Sequence, residues 1–174
     1  MNIEGDKIIL RAMTLADQDM LLTILNDAET ENFVIGWSFP TSKENQVEWY
    51  KNQVFNKKDT RMVIVIKDTN EAIGLTGLWD IDWKNRCAIT GIKLGGKNTM
   101  GKGYGTESIK LVLKYAFEEL NLNRIEAIIL DYNKASQKLF IDKCGFKKEG
   151  LMREKIFKQG KYHDVLLISK LRNE

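Results

Sequence analysis

The stretch GIKLGGKNTMGKGYGTESIKLVLKY, residues Gly91 to Tyr115, decides how this chain is read. Gly95, Gly96, Gly101, Gly103 and Gly105 crowd its middle. Upstream, Cys87 to Leu94 has the composition of a strand. Downstream, Ile109, Leu111, Val112, Leu113, Ala116 and Phe117 are mostly spaced three or four apart, as on the apolar face of a helix. The order is strand, glycine-rich turn, helix. Glycine lets backbone approach a ligand closely, and the first N–H groups of a helix have no partner inside it. With the helix dipole, those donors make a seat for phosphate. The stretch reads as a pyrophosphate-binding loop.

Rival motifs fit less well. Gly96 to Lys102 matches GxxxxGK, but Gly103 follows where a nucleotide-triphosphate loop needs the Ser or Thr hydroxyl that holds Mg²⁺. The dinucleotide fingerprint GxGxxG fails at Ser108, after Gly103 and Gly105. A plain strand-to-helix turn does not need Gly101-Lys102-Gly103-Tyr104-Gly105.

Working outward, Lys7 to Ala12 reads as a first strand, and Thr14 caps a helix from Leu15 to about Asp27. Asp27 to Pro40 reads as loop. Thr41-Ser42-Lys43-Glu44 is a capping box opening a helix to about Phe55. Arg61 to Lys67 and Ala72 to Asp82 form a hairpin about Asp68-Thr69-Asn70-Glu71. The helix after the glycine loop runs to Leu120. Arg124 to Leu130 is a buried strand, and Asn133 caps a helix that Gly145 closes after Cys144. Lys147 to Phe157 and Tyr162 to Leu171 make a last hairpin about Gln159-Gly160. The expected fold is α+β, a mixed and mostly antiparallel central sheet with helices on both faces.

With 174 residues, one proline and no linker-like segment, one domain spanning 1–174 is expected. A net charge of +3, from 27 basic and 24 acidic residues, gives no dedicated nucleic-acid surface. No run reaches the length of a membrane span, and the acidic residues in MNIEGDKIIL argue against a signal peptide. Cys87 and Cys144 form neither a disulfide framework nor a metal pattern, so no metal is expected. These features suggest a cytoplasmic protein with reduced thiols.

Met100-Gly101-Lys102-Gly103-Tyr104-Gly105, followed by Thr106-Glu107 and a helix, resembles the acetyl-CoA signature of the GNAT superfamily of N-acetyltransferases. Asn133-Lys134-Ala135-Ser136 and Gly145-Phe146-Lys147-Lys148-Glu149-Gly150 are similar to two later elements of that family. The tail from Arg153 to Val165 resembles the branch of spermidine acetyltransferases and ribosomal-protein N-terminal acetyltransferases. The resemblance spans almost the whole chain and implies acetyl transfer from acetyl-CoA straight to a primary amine. The acceptor would be a polyamine, an amino sugar or a protein N-terminus. It places the pyrophosphate on Lys102 to Thr106 and pairs the pantetheine amides with backbone of Ile92 and Leu94, as an added strand would. Asn133 and Ser136 become cofactor contacts. Met100 stands where the family has Arg or Gln, removing one side-chain phosphate contact; Lys97 and Lys102 are candidate replacements. The exposed final hairpin hints at a homodimer.

Acetyl transfer to an amine needs a proton acceptor for the amine, donors for the oxyanion, and a proton for the departing thiolate. The family's usual strand glutamate is Thr90 here, and its usual tyrosine before Gly-Phe is missing from a segment one residue longer than expected. Asp80 and Asp82 are therefore the base candidates, because residues two apart on a strand share a face. Water is the alternative carrier, and solvated turn residues the bland reading of both. Glu29 and Glu31 form a second acidic set beside Trp37. With Trp79 and Trp83, the four carboxylates would suit a cationic amine. His163 reads as structural and Cys144 as a buried small hydrophobe. A non-catalytic acyl-CoA-binding module is the competing function, because the usual tyrosine and glutamate are both missing.

Overall fold

The computed structural model describes residues 1–36, 39–54, 56–96 and 99–174. Among these residues eight strands form one sheet: β1 (Ile3–Glu4), β2 (Ile8–Ala12), β3 (Thr60–Ile66), β4 (Ala72–Asp82), β5 (Cys87–Leu94), β6 (Arg124–Leu130), β7 (Lys147–Lys158) and β8 (Lys161–Leu171). Their spatial order is β1-β2-β3-β4-β5-β6-β8-β7. Every neighbouring pair is antiparallel except β5 and β6. The helices are α1 (Gln18–Leu25), α2 (Ala28–Glu31), α3 (Lys43–Val54), α4 (Tyr104–Lys114) and α5 (Lys134–Gln137). The expected α+β architecture is the one observed.

Period-two alternation divides the strands between two layers. Ile8, Leu10, Met62, Ile64 and Leu78 point into the main core, where Ile109 and Val112 of α4 and Phe140 and Phe146 meet them. Val63 and Val65 point the other way, and Leu21 and Ile24 of α1 are also buried. Arg11, opposite Val63, reaches Asp17 with two hydrogen bonds of 2.7 and 2.8 Å. The same carboxylate accepts from the N–H and hydroxyl of Thr14, closing the predicted cap over a short 3₁₀ turn, Leu15–Asp17.

Three local readings need correction. The stretch after α1 is not all loop, because Asp27 accepts from the Thr30 N–H and starts α2. The cap of α3 is Ser42, whose Oγ accepts from the Asn45 N–H, rather than a Thr41–Glu44 box. Both α4 and α5 run on into π-helical turns, Tyr115–Glu119 and Lys138–Lys143. A π turn absorbs one extra residue in a helix, which accounts for the long segment between Ser136 and Gly145.

The sheet is split in the middle. β5 and β6 pair in parallel only from Cys87–Arg124 to Ile89–Glu126. Among the described residues, β5 from Thr90 onward keeps only its β4 partner, and β6 from Ala127 keeps only β8. The two strands diverge into a wedge that opens toward their carboxyl ends. A bulge in β4 sets Asp80 and Ile81 against Ala88 alone, beside the point of divergence. Bulges bend a strand and raise its local twist.

Candidate active site

The glycine loop leaves the end of β5 and enters α4 at the mouth of the wedge. Gly101 (φ 76°) and Gly103 (φ 89°) are left-handed, and among the described residues a Cβ on either would meet no atom within 4 Å beyond its chain neighbours. The demand for glycine there is conformational, not steric. Gly103 is the N-cap of α4 and offers no side chain, so the N–H groups of Tyr104, Gly105 and Thr106 have no intrahelical acceptor. The Glu107 carboxylate accepts from the backbone N–H of Lys7 at 2.9 Å, and Lys7 Nζ donates to the Lys102 carbonyl at 3.3 Å. These contacts fasten the loop to the β1–β2 turn. A Cβ on Gly105 would lie 3.0 Å from Leu139 and 3.5 and 3.7 Å from Leu94 and Ile92, so the helix approaches the sheet closely. Backbone donors without an intrahelical acceptor, two nearby ammonium groups and a helix N-terminus fit a pyrophosphate. Lys97 lies outside the described residues, and Met100 is solvent-exposed.

The β6 bank of the wedge is tied to α2. Asn133 accepts from the Ser136 N–H at 3.0 Å, capping α5, and donates to the Phe33 carbonyl at 2.8 Å. Tyr132 donates its hydroxyl to the Asn32 carbonyl at 2.6 Å. Lys158, buried at the end of β7, donates to the Glu31 carbonyl at 2.8 Å and pairs with the Glu31 carboxylate. Three successive carbonyls, 31 to 33, are thus gripped by three side chains, two from the β6–α5 turn and one from the end of β7. Behind them, the Tyr132 ring meets His163 edge-on at 4.6 Å. Among the described residues, His163 Nε2 and Asp131 Oδ1 are buried without a hydrogen-bond partner.

On the face of the sheet toward α1 and α3 lies a cleft of about 410 Å³, floored by β4 and β5. Trp79 lies against Gly91, where a Cβ would come within 2.8 Å of its ring. The Arg61 guanidinium stacks 4.9 Å from the Trp79 ring and 5.6 Å from that of Trp49. Arg61 also bonds Gln53 at 3.1 Å and Asp59 at 3.2 Å. Lys93 enters the same cleft from β5. Burial holds its ammonium below the usual lysine range; the charges of Arg61 and Lys158 push the same way, and Glu31 opposes them. At the floor, Thr76 donates to the Gly91 carbonyl (2.8 Å) and Thr90 to the Gly77 carbonyl (2.7 Å). The hydroxyl standing where a carboxylate was sought is therefore a cross-strand tie.

Comparison with known proteins agrees with this geometry. An acetyltransferase (GNAT) domain model matches residues 7–147. The chain belongs to the GNAT acetyltransferase family. It is an acetyl-CoA-dependent acyltransferase of that family. The chain is 32% identical to the uncharacterized N-acetyltransferase p20 of Bacillus licheniformis over 97% of its own length and 95% of that protein. It is 27% identical to the spermidine N(1)-acetyltransferase of Vibrio cholerae, over 92% and 91% of the two chains. A crystal structure of the Vibrio cholerae spermidine N-acetyltransferase with CoA and spermine superposes with a TM-score of 0.90, at 25% identity and over 97% and 98% of the chains.

Within this GNAT fold the predicted residues separate into two groups. The cofactor candidates Ile92, Leu94, Met100, Gly101, Lys102, Gly103, Tyr104, Gly105, Thr106, Asn133 and Ser136 all lie along the wedge or at its mouth. The predicted acidic cluster is not brought together. Asp80 sits in the β4 bulge with φ 51°, which breaks the two-residue period used to pair it with Asp82. Its N–H donates to Asp59, whereas Asp82 accepts from the N–H groups of Lys84 and Asn85 and caps a turn. Those bonds, led by the one from Asn85, hold the Asp82 carboxyl below its usual range. Glu31 pairs with Lys158, and Glu29 is exposed on α2. Trp37 lies outside the described residues, and Trp83 is exposed with its Nε1 3.4 Å from the Lys57 carbonyl. Arg61, Lys93 and Lys158 were missed. Their signal is a cation in or at the end of a β run, where side chains alternate between core and cleft.

Proposed function

We propose that this GNAT protein moves the acetyl group of acetyl-CoA directly onto a primary amine that enters through the α1/α3 cleft. The observation that carries it is the divergence of β5 from β6 after Ile89, with the glycine loop at one end of the free edge and the cleft across Gly91. A linear chain of amides suits an unpaired strand edge. The N–H groups at the start of α4, which have no intrahelical acceptor, suit a pyrophosphate. Acetyl-CoA supplies the thioester; the chain orients it and admits the amine. Asp82 is committed to its turn and Thr90 to Gly77, so the amine gives up its proton to water reaching the cleft. The relatives named for spermidine support an amine acceptor. Residues 1–174 act as one domain on this proposal, and a homodimer would use the β7 edge, where Leu151 and Phe157 are exposed.

The test is thermal unfolding with acetyl-CoA, CoA and Mg-ATP in parallel, followed by thiol release with a panel of amines. A ligand at about a hundred times its dissociation constant stabilises by about 2.7 kcal/mol, a rise of several degrees at this size. Stabilisation by both CoA species, none by Mg-ATP, and amine-dependent thiol release are expected. No response to millimolar CoA overturns the wedge as the cofactor site.

A further inference from the structure

We infer that the acceptor carries an anionic group, a carboxylate or a phosphate, that pairs with Lys93 while its amine lies near Gly91; this rests on the acceptor cleft proposed above. Among the described residues lining the cleft, two are charged, Arg61 and Lys93, and both are cations. Among those described residues no carboxylate lines it. The nearby acids already have partners: Asp59 is bonded by Arg61 and by the Asp80 N–H, and Glu31 by Lys158. Arg61 is in turn occupied by Asp59, Gln53 and two indole rings. Lys93 differs. Among the described residues it makes no hydrogen bond or ion pair, yet it is half-buried between apolar walls.

A half-buried ammonium without a partner among the described residues is costly, and burial depresses its pKa in keeping with that cost. A polyamine would add two or more positive charges to this site and find no acid in the lining. A substrate anion would supply what Lys93 lacks. Gly91 and Lys93 share a face and lie two residues apart, about 7 Å along the strand. That spacing fits an amine separated from its anion by a few bonds, or a peptide N-terminus with an acidic residue close behind.

The experiment uses thiol release as the readout to compare four acceptors of similar length, 4-aminobutyrate, 3-aminopropyl phosphate, n-butylamine and 1,4-diaminobutane, with the longer spermidine beside them. A second series uses short peptides alike except for Glu or Lys at the second position. In each acetylated series the anionic member is expected to have kcat/KM about ten- to a hundredfold above the cationic one, the range of a hydrogen bond to a charged group. The 4-aminobutyrate and aminopropyl phosphate arms separate carboxylate from phosphate. Lys93→Gln is expected to bring the ratio near one, with stabilisation by CoA retained as proof of folding, and Lys93→Arg to restore it. Equal or higher kcat/KM with the diamine or spermidine overturns anion selection and leaves amine acetylation standing. Thiol release with none of the amines, while CoA still stabilises the protein, overturns the primary-amine proposal itself.

Discussion

Replacing Gly103 with alanine separates backbone conformation from contact, because nothing stands within 4 Å of the added Cβ. The residue holds φ at 89°, in the left-handed region. An L residue there costs about 1–2 kcal/mol relative to glycine. At this chain length each kcal/mol moves the unfolding midpoint by about 2–4 °C, so the apo variant should unfold about 2–8 °C earlier. Gly160, in the β7–β8 turn, supplies a control, with φ 77° and again no atom within 4 Å. Gly160→Ala should show a similar apo penalty. The two variants diverge on ligand. If Gly103→Ala relaxes the turn, at least one N–H is no longer aimed at the pyrophosphate. One charge-assisted hydrogen bond is worth about 1.5–3 kcal/mol, so the Kd for CoA should rise about ten- to a hundredfold. Calorimetric titration of CoA into both variants decides the matter. Equal CoA affinities for Gly103→Ala and Gly160→Ala would refute the phosphate-seat assignment whatever their stabilities.

Asp17→Asn should lower stability by about 3 kcal/mol, near the low end for a broken buried ion pair because Arg11 is partly exposed; urea unfolding measures it. Burial pushes the Asp17 carboxyl up, but hydrogen bonds from Arg11 and Thr14 outweigh it and hold the carboxyl below its ordinary value. Its contribution is therefore present above about pH 4 and lost as pH falls through the lower folded-state value, and the variant should lack that acid limb. Lys93→Met should raise the unfolding midpoint at neutral pH, because a lysine held below its ordinary pKa costs stability while charged. The wild type regains that stability as pH rises toward about 10, so the gap between the two should close there. Lys158→Met removes the ammonium from Glu31 and its carbonyl; about 2–4 kcal/mol of stability should be lost, with acceptor KM rising more than kcat falls.

The strand, glycine turn and helix of the proposed cofactor side were legible because backbone builds them. Glycines at fixed places, a strand before them and an amphipathic helix after them specify a turn, a dipole and a row of donors without any contact needing to be known. β4, β5 and β6 were read to their observed ends for the same reason, since apolar runs bounded by turn residues mark them. The acceptor side depends on which face a charged residue takes and whom it meets. Asp80 and Asp82 followed the period-two rule on paper, but a bulge intervened, and no residue type announces one. Glu31 gave no sign that Lys158, 127 residues later, would reach it. Lys93 looked like one lysine among many until the strand's alternation placed it with Gly91 rather than Leu94.

That alternation joins the two halves of the site. On the proposed function the edge of β5 beyond Ile89 takes the pantetheine; its Ile92 and Leu94 side chains pack toward α4, and its Gly91 and Lys93 face the cleft. The register is pinned by the Thr90 bond to Gly77 and the Thr76 bond to Gly91. A slip of one residue would exchange the faces, driving the Lys93 ammonium under α4 and opening the cleft to Leu94. It would also force a side chain against Trp79 where only Gly91 fits. The pairing that leaves the strand edge free for the proposed cofactor therefore also sets the charge proposed to meet the acceptor, and neither can be shifted without the other.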